Sequence, residues 1–131
     1  MKDVLIVHDE DARGNRFHSF RIPNSSESLS VKDLILRRVS VEVERFNAQR
    51  PVCFFTLVQP VEAEMTSRGF RLKEHRTLDP EAQMNSAIEG FAKKCYLINA
   101  NGRDYQELND QIEIADETEI VFVKFMEVVG G

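Results

Sequence analysis

Apolar and polar positions along the chain fall into short runs with two distinct periods. Residues 4–8 form a β-branched, aliphatic run, and residues 16–22 alternate, with Phe17, Ser19 and Arg21 on one face and His18, Phe20 and Ile22 on the other. Between them lies the polar stretch 9–15, which contains Gly14-Asn15. Two such runs around a polar turn predict a β-hairpin. Residues 23–28 read as a loop. Ser30 then has N-cap chemistry, with Asp33 three residues on as a short-armed capping box. Val31, Leu34, Ile35, Val39, Val43 and Phe46 follow at helical spacing, which predicts a helix from 31 to about 48. Leu36 and Val41 fall off that stripe, so the helix is expected to touch something on a second side. Arg50-Pro51 stops it, because a proline disfavours helical geometry in the residue before it.

Residues 52–58 are an apolar run with β-propensity, and 59–78 read as an irregular or short-stranded surface insertion. Asp79-Pro80 is a strong helix start, an N-cap followed by a first-turn proline. Met84, Ala87, Ile88, Phe91 and Cys95 then make one apolar face, with Lys93 and Lys94 in the last turn, where the helix dipole favours cations. This helix is expected to pack on the domain, since a stripe of exposed apolar side chains invites association. Tyr96-Leu97-Ile98 begins a strand at once, Asn101-Gly102 is a turn dipeptide, and 104–108 returns as a short strand. Residues 111–114 read as a brief connection, 116–118 as an acidic turn, and 119–129 as a long final strand or extended tail ending in Gly130-Gly131. The order is strand, strand, helix, a helix-containing insertion, then three strands. It describes an α+β fold, one domain over 1–131 with no repeat, in which the helix stripe must cover a sheet face.

Composition narrows the classes. Seventeen basic residues stand against 22 acidic ones, a net charge of −5, which argues against a general nucleic-acid binder. The longest uncharged stretch, 51–61, is too short to span a bilayer, and the start of the chain has no signal-peptide pattern. Two cysteines, Cys53 and Cys95, make neither a disulfide framework nor a zinc site, and are read as reduced, half-buried thiols in a cytoplasmic protein.

The informative feature is the end of the chain. Two glycines beyond an apolar strand are flexible, carry no side chains and can enter a narrow slot. The last carboxylate is the only reactive group there, and with the ordinary α-carboxyl pKa of about 3.5 it is ionised at neutral pH. It is a poor electrophile until activated, and ATP can activate it as an acyl-adenylate. Glycine minimises steric blocking at that step and again when a thiol or amine attacks.

On these residues the chain resembles the ubiquitin-like, β-grasp proteins over 2–48 and 94–131. Tyr96 to Arg103 (YLINANGR) is similar to the family's strand, tight turn and returning strand, and Thr118 to Val123 (TEIVFV) before a Gly-Gly end resembles both ubiquitin and the bacterial sulfur carriers. The chain departs from the family in an insertion at about 51–94 and in a tail, 124–129, without ubiquitin's arginines. The insertion, with a helix leading straight into a strand, points to a bacterial ubiquitin-like branch, similar to proteins encoded beside activating, conjugating and deconjugating enzymes, some in antiphage defence operons.

The resemblance implies a mixed sheet on a central helix, with the first and last strands neighbouring and parallel. The apolar stripe is expected to bury Leu34, Ile35, Val39, Val43 and Phe46 against Ile6, Ile98, Ile120 and Phe122, and the glycine-ended tail over about 127–131 is expected to be flexible. The implied function is a protein modifier rather than an enzyme. Gly131 would be activated by an ATP-dependent enzyme, with Gly130 giving clearance, and delivered to an amine on a target protein. No bound cofactor is expected; ATP belongs to the activating enzyme. Val121, Val123, Phe125, Val128 and Val129 would be read by the activating and conjugating enzymes and by a deconjugating protease, with no nucleic-acid or membrane partner. For Val121, Val123 and Phe125 a strand buried on both faces is an equal alternative. Two rival functions remain open: a sulfur carrier forming a Gly131 thiocarboxylate, and a non-covalent β-grasp adaptor with an inert tail.

Other chemistry is thin. Cys53 and Cys95 have no adjacent base in the sequence, and Cys95 continues a core stripe. His8, His18 and His75 fit no metal-ligand spacing. The basic stretch 68–76 and the acidic runs Asp9-Glu10-Asp11 and Asp116-Glu117 read as solvated. No Walker loop, dinucleotide fingerprint or nucleophile elbow is present.

Overall fold

The computed structural model describes residues 3–49, 56–60, 63–66, 69–72, 77–126 and 128–130. The predicted hairpin forms from β1 (Val4–Asp11) and β2 (Arg16–Pro23), paired antiparallel. Its first strand runs past His8 because Asp11 closes the turn: Oδ1 accepts the N–H groups of Arg13 and Asn15, each at 2.9 Å. Gly14 supplies the left-handed residue the turn needs, at φ 86°.

The chain continues through β3 (Ser28–Ser30), α1 (Val31–Gln49), β4 (Gln59–Pro60), β5 (Ala63–Thr66), β6 (Gly69–Leu72) and α2 (Pro80–Ala92). It ends in β7 (Tyr96–Ala100), β8 (Arg103–Tyr105), β9 (Gln111–Glu113), β10 (Glu119–Lys124) and β11 (Val129–Gly130). Five strands make the main sheet in the order β2-β1-β10-β7-β8, with β1 and β10 parallel and every other pair antiparallel. The fold is α+β, a mixed sheet with two helices.

The N-cap of α1 is Ser30, whose Oγ accepts the Asp33 N–H at 3.0 Å. Leu34, Ile35, Val39, Val43 and Phe46 are all buried and share one core with Ile98, Ile120 and Phe122, as the stripe required. Burying side chains of this size contributes about 1.5–3 kcal/mol each. The partner on β1 differs. Leu5 and Val7 are inside, and Ile6 points to the other face and is only half-buried. Strand alternation admits one parity, and the parallel register aligns Val7 with Ile120 on the helix side.

The insertion's helix is anchored at both ends. Asp79 caps α2 by accepting the Glu81 N–H at 3.1 Å. Just before it, Leu78 is held by Asn47 of α1, whose Oδ1 accepts its N–H (2.8 Å) and whose Nδ2 donates to its carbonyl (3.0 Å). Ala87 and Phe91 are buried, with Met84 and Ile88 packed against the same core. At the far end Lys93 is the C-cap rather than part of the last turn, and Lys94 takes the left-handed conformation at φ 61°. The Cys95 N–H reaches Gly90 O at 2.9 Å and the Lys94 N–H reaches Phe91 O at 3.0 Å, a Schellman end with lysine where glycine is usual.

Three readings of the sequence change. Ser28, expected to end a loop, and 111–113, within the expected connector 111–114, lie in strands: β3 pairs with β9. Of the apolar run 52–58, only 56–58 are described, and they form no strand. The final strand stops at Lys124 instead of continuing to 129. No helix among the described residues is long and apolar enough to cross a membrane.

Candidate functional site

The main sheet has one face under α1, and β10 presents Val121 and Val123 on the other. Val121 lies between His8 and Asn99 in register, and Val123 between Glu10 and Leu97. Both valines are half-buried, while Ile120 and Phe122 are fully buried on the helix side. On the same face His8 is held between Ser19 Oγ (2.7 Å) and Glu119 Oε2 (2.8 Å). That pairing fixes the imidazole as a structural tie across three strands.

Beyond β10 the chain turns. The Phe125 and Met126 N–H groups both donate to the Cys95 carbonyl, at 2.8 and 3.0 Å. This ends the strand and leaves Phe125 48% and Met126 57% exposed. Phe125 lies at the mouth of a cavity of about 190 Å³ lined also by Phe91, Lys94, Tyr96, Leu97 and Gln106.

The tail then returns to the domain. Val128 is 6% exposed, the Gln59 N–H donates to its carbonyl at 2.6 Å, and Val129 and Gly130 pair in parallel with Gln59 and Pro60. A flexible segment extending away from about Glu127 was expected, and the structure instead holds Val128–Gly130 against the insertion. The reason is local: Gly90 on α2 leaves room for the Val128 side chain, and residues 59–60 offer a strand edge to the tail. The site residues expected from sequence therefore divide. Val121, Val123 and Phe125 remain accessible in part, Val128 is covered, and Gly130 is engaged through its backbone. Gly131 lies outside the described residues, as does the side chain of Val129.

A second cluster was missed from sequence. Arg38 is fully buried inside the α1 face. Its guanidinium donates to both oxygens of Asp9, at 2.6 and 2.7 Å, and to Glu42 at 3.3 Å. It is sandwiched between the rings of Phe20 and Phe122, 4.8 and 4.5 Å from their centroids. Glu42 in turn accepts the Leu57 N–H at 3.1 Å, and Lys124 bridges Asp9 (3.9 Å) and the Thr56 carbonyl (3.0 Å). One fully buried cation thus faces two carboxylates. Burial alone would raise Asp9, but the Arg38 guanidinium outweighs it and holds Asp9 below the usual carboxylate range. Burial and the Asp9 charge push Glu42 above that range despite Arg38.

The acidic run expected to be solvated is therefore not a single solvated loop: Asp9 is buried, Glu10 pairs with Arg16 at 3.0 Å, and Asp11 closes the turn. The signal was present in the pattern. Asp9 continues the inward parity of Leu5 and Val7, and Arg38 and Glu42 sit at i and i+4 within the apolar stripe.

The other candidates carry no chemistry here. Cys95 is buried and free. His18 is half-buried and stacked on Phe20, with its pKa lowered by burial. Cys53, His75 and part of the basic stretch 68–76 lie outside the described residues. Among the described residues no group of His, Cys, Asp and Glu is arranged to hold a metal ion. Compared with known proteins, the chain matches no family model, no curated protein and no solved structure.

Proposed function

We propose that the chain is a ubiquitin-like, β-grasp protein modifier whose reactive group is the Gly131 carboxylate. The observation that carries this reading is the placement of the end. A hairpin, a helix crossing one sheet face and a strand, β10, parallel to the first support a β-grasp reading, and Gly130-Gly131 stands beyond the turn that follows β10. The carboxylate oxygen attacks the α-phosphate of ATP on an activating enzyme, and pyrophosphate leaves. An enzyme thiolate then attacks the acyl carbon and AMP leaves; an amine on the target finally displaces the thiol. The chain supplies an unhindered acyl carbon and a recognition surface, namely Val121, Val123 and Phe125. The proposed setting is a bacterial cytoplasm, among activating, conjugating and deconjugating enzymes.

A second reading, a non-covalent adaptor with an inert tail, is favoured by one observation: the docking of Val128–Gly130. Intact-mass analysis of the N-terminally tagged protein recovered from its native cells separates the readings. Amine-linked adducts dependent on Gly131 support the modifier. Replacement of one oxygen by sulfur indicates a sulfur carrier, and an unchanged mass supports the adaptor.

A further inference from the structure

The end of the chain is gripped by the insertion at two places, one through the Val128 side chain and one through the backbone. An added Cβ at Gly90 would stand 2.7 and 2.9 Å from the two Val128 methyl carbons, so the valine occupies space that only glycine leaves open. The Gln59 N–H holds the Val128 carbonyl at 2.6 Å. Val129 and Gly130 continue as a parallel pair with Gln59 and Pro60, and proline, having no N–H, offers no further donor there. Glycine is among the poorest residues for a helix interior, yet it stands within α2 where the tail crosses.

We propose that α2 and residues 59–60 form a binding site for an extended, apolar C-terminal peptide. In this structure the chain's own Val128–Gly130 fills it, and this occupancy withholds the terminal carboxylate from partners until it opens. The inhibitory part rests on the reading of Gly131 as the activated group. Release follows from that reading: with Val129–Gly130 paired, a carboxylate on Gly131 stands one residue beyond the grip, and one residue reaches at most about 3.5 Å. That is too short to carry the carboxylate from this surface into another protein's active site. Once freed, residues 125–131 extend over about 23 Å. The grip is also weak enough to open, consisting of one side chain and two paired residues. A partner that binds the vacated groove, or the exposed Phe125–Met126 turn, would release the tail.

Two variants of the full chain open the site by different routes. Gly90→Ala improves helix propensity while colliding with Val128, and Val128→Ser removes the plug and leaves α2 untouched. Two readouts need no cognate enzyme: amide exchange at Gln59, and trimming of the C-terminus by carboxypeptidase Y followed by intact mass. Both rates should rise about tenfold in each variant, with α1 protection unchanged. Unchanged rates in both variants, or rapid trimming of the unaltered chain, overturn the site. A third readout is adduct formation in ATP-supplied native extract. Faster adducts in the variants support inhibition, and equal rates with proven opening overturn it. If no protein forms adducts while exchange and trimming respond as expected, the peptide site stands and the Gly131 reading falls.

Discussion

Replacing Asp9 with asparagine keeps the shape of the side chain and removes its charge from under Arg38. Both residues are wholly buried, and the pair is joined by two short hydrogen bonds. In the variant the guanidinium keeps one carboxylate, Glu42, at the longer distance of 3.3 Å, and an amide N–H₂ replaces one acceptor. Breaking a buried pair on one side costs about 3–5 kcal/mol. Glu42 remains as a partner for the guanidinium, so a loss near the low end, about 3 kcal/mol, is expected. For 131 residues the unfolding entropy corresponds to a fall in Tm of about 10 °C. The chain has no tryptophan, so urea unfolding is best followed by far-UV circular dichroism. A companion variant, Asp9→Leu with Arg38→Met and Glu42→Gln, removes the three buried charges together, leaves Lys124 on the Thr56 carbonyl, and should recover most of the loss. A single variant within about 1 kcal/mol of the parent, or a triple variant less stable than the single, would refute the account of this cluster.

The same cluster sets a pH dependence. Asp9 is held low in the folded state, so its contribution is complete above about 3.9 and is lost as pH falls through its lower folded value. Glu42 is held high, so its contribution is complete below about 4.3 and declines as pH rises through its folded value. Stability measured upward from pH 5 should therefore fall through the Glu42 transition, and Glu42→Gln, which keeps an acceptor for Leu57, should flatten that slope. Lys94→Gly should raise stability by about 0.5–1 kcal/mol, because the left-handed C′ position then suits its residue; unchanged urea midpoints would discount the strain. Deleting Gly131 should abolish ATP-dependent adducts while moving the Tm by less than about 2 °C, since no core residue is touched; adducts that persist would place the reactive group elsewhere.

Local chemistry was legible where it acts alone. The Ser30 and Asp79 caps, the Asn101-Gly102 turn and the apolar stripes of both helices gave the hairpin, α1, α2 and β7 with ends close to those observed. What the sequence concealed depends on partners distant along the chain. Ser28–Ser30 and Gln111–Glu113 are too short to announce themselves, and become strands only by pairing with each other. Arg38 and Glu42 find their buried partner only when Asp9 arrives from β1. The tail looked free because nothing in Val128-Val129-Gly130 reveals that Gly90 has left space for it. The choice between Val121 and Ile120 as the inward residue was legible from parity, but the same reasoning applied to Ile6 requires the register between strands, which periodicity alone does not supply.

The parallel register of β1 and β10 also has a mechanical meaning. Six residue pairs, from Ile6 with Glu119 to Asp11 with Lys124, lie side by side between one strand near the start of the chain and one near its end. Tension drawn between the two ends pulls these strands along their length in opposite directions, so their cross-links share the load and must yield together. The Val128–Gly130 grip is also parallel, but only two residue pairs share its load. A machine hauling on the C-terminus would therefore meet two thresholds, a low one that strips the tail from the insertion and a high one that shears the sheet.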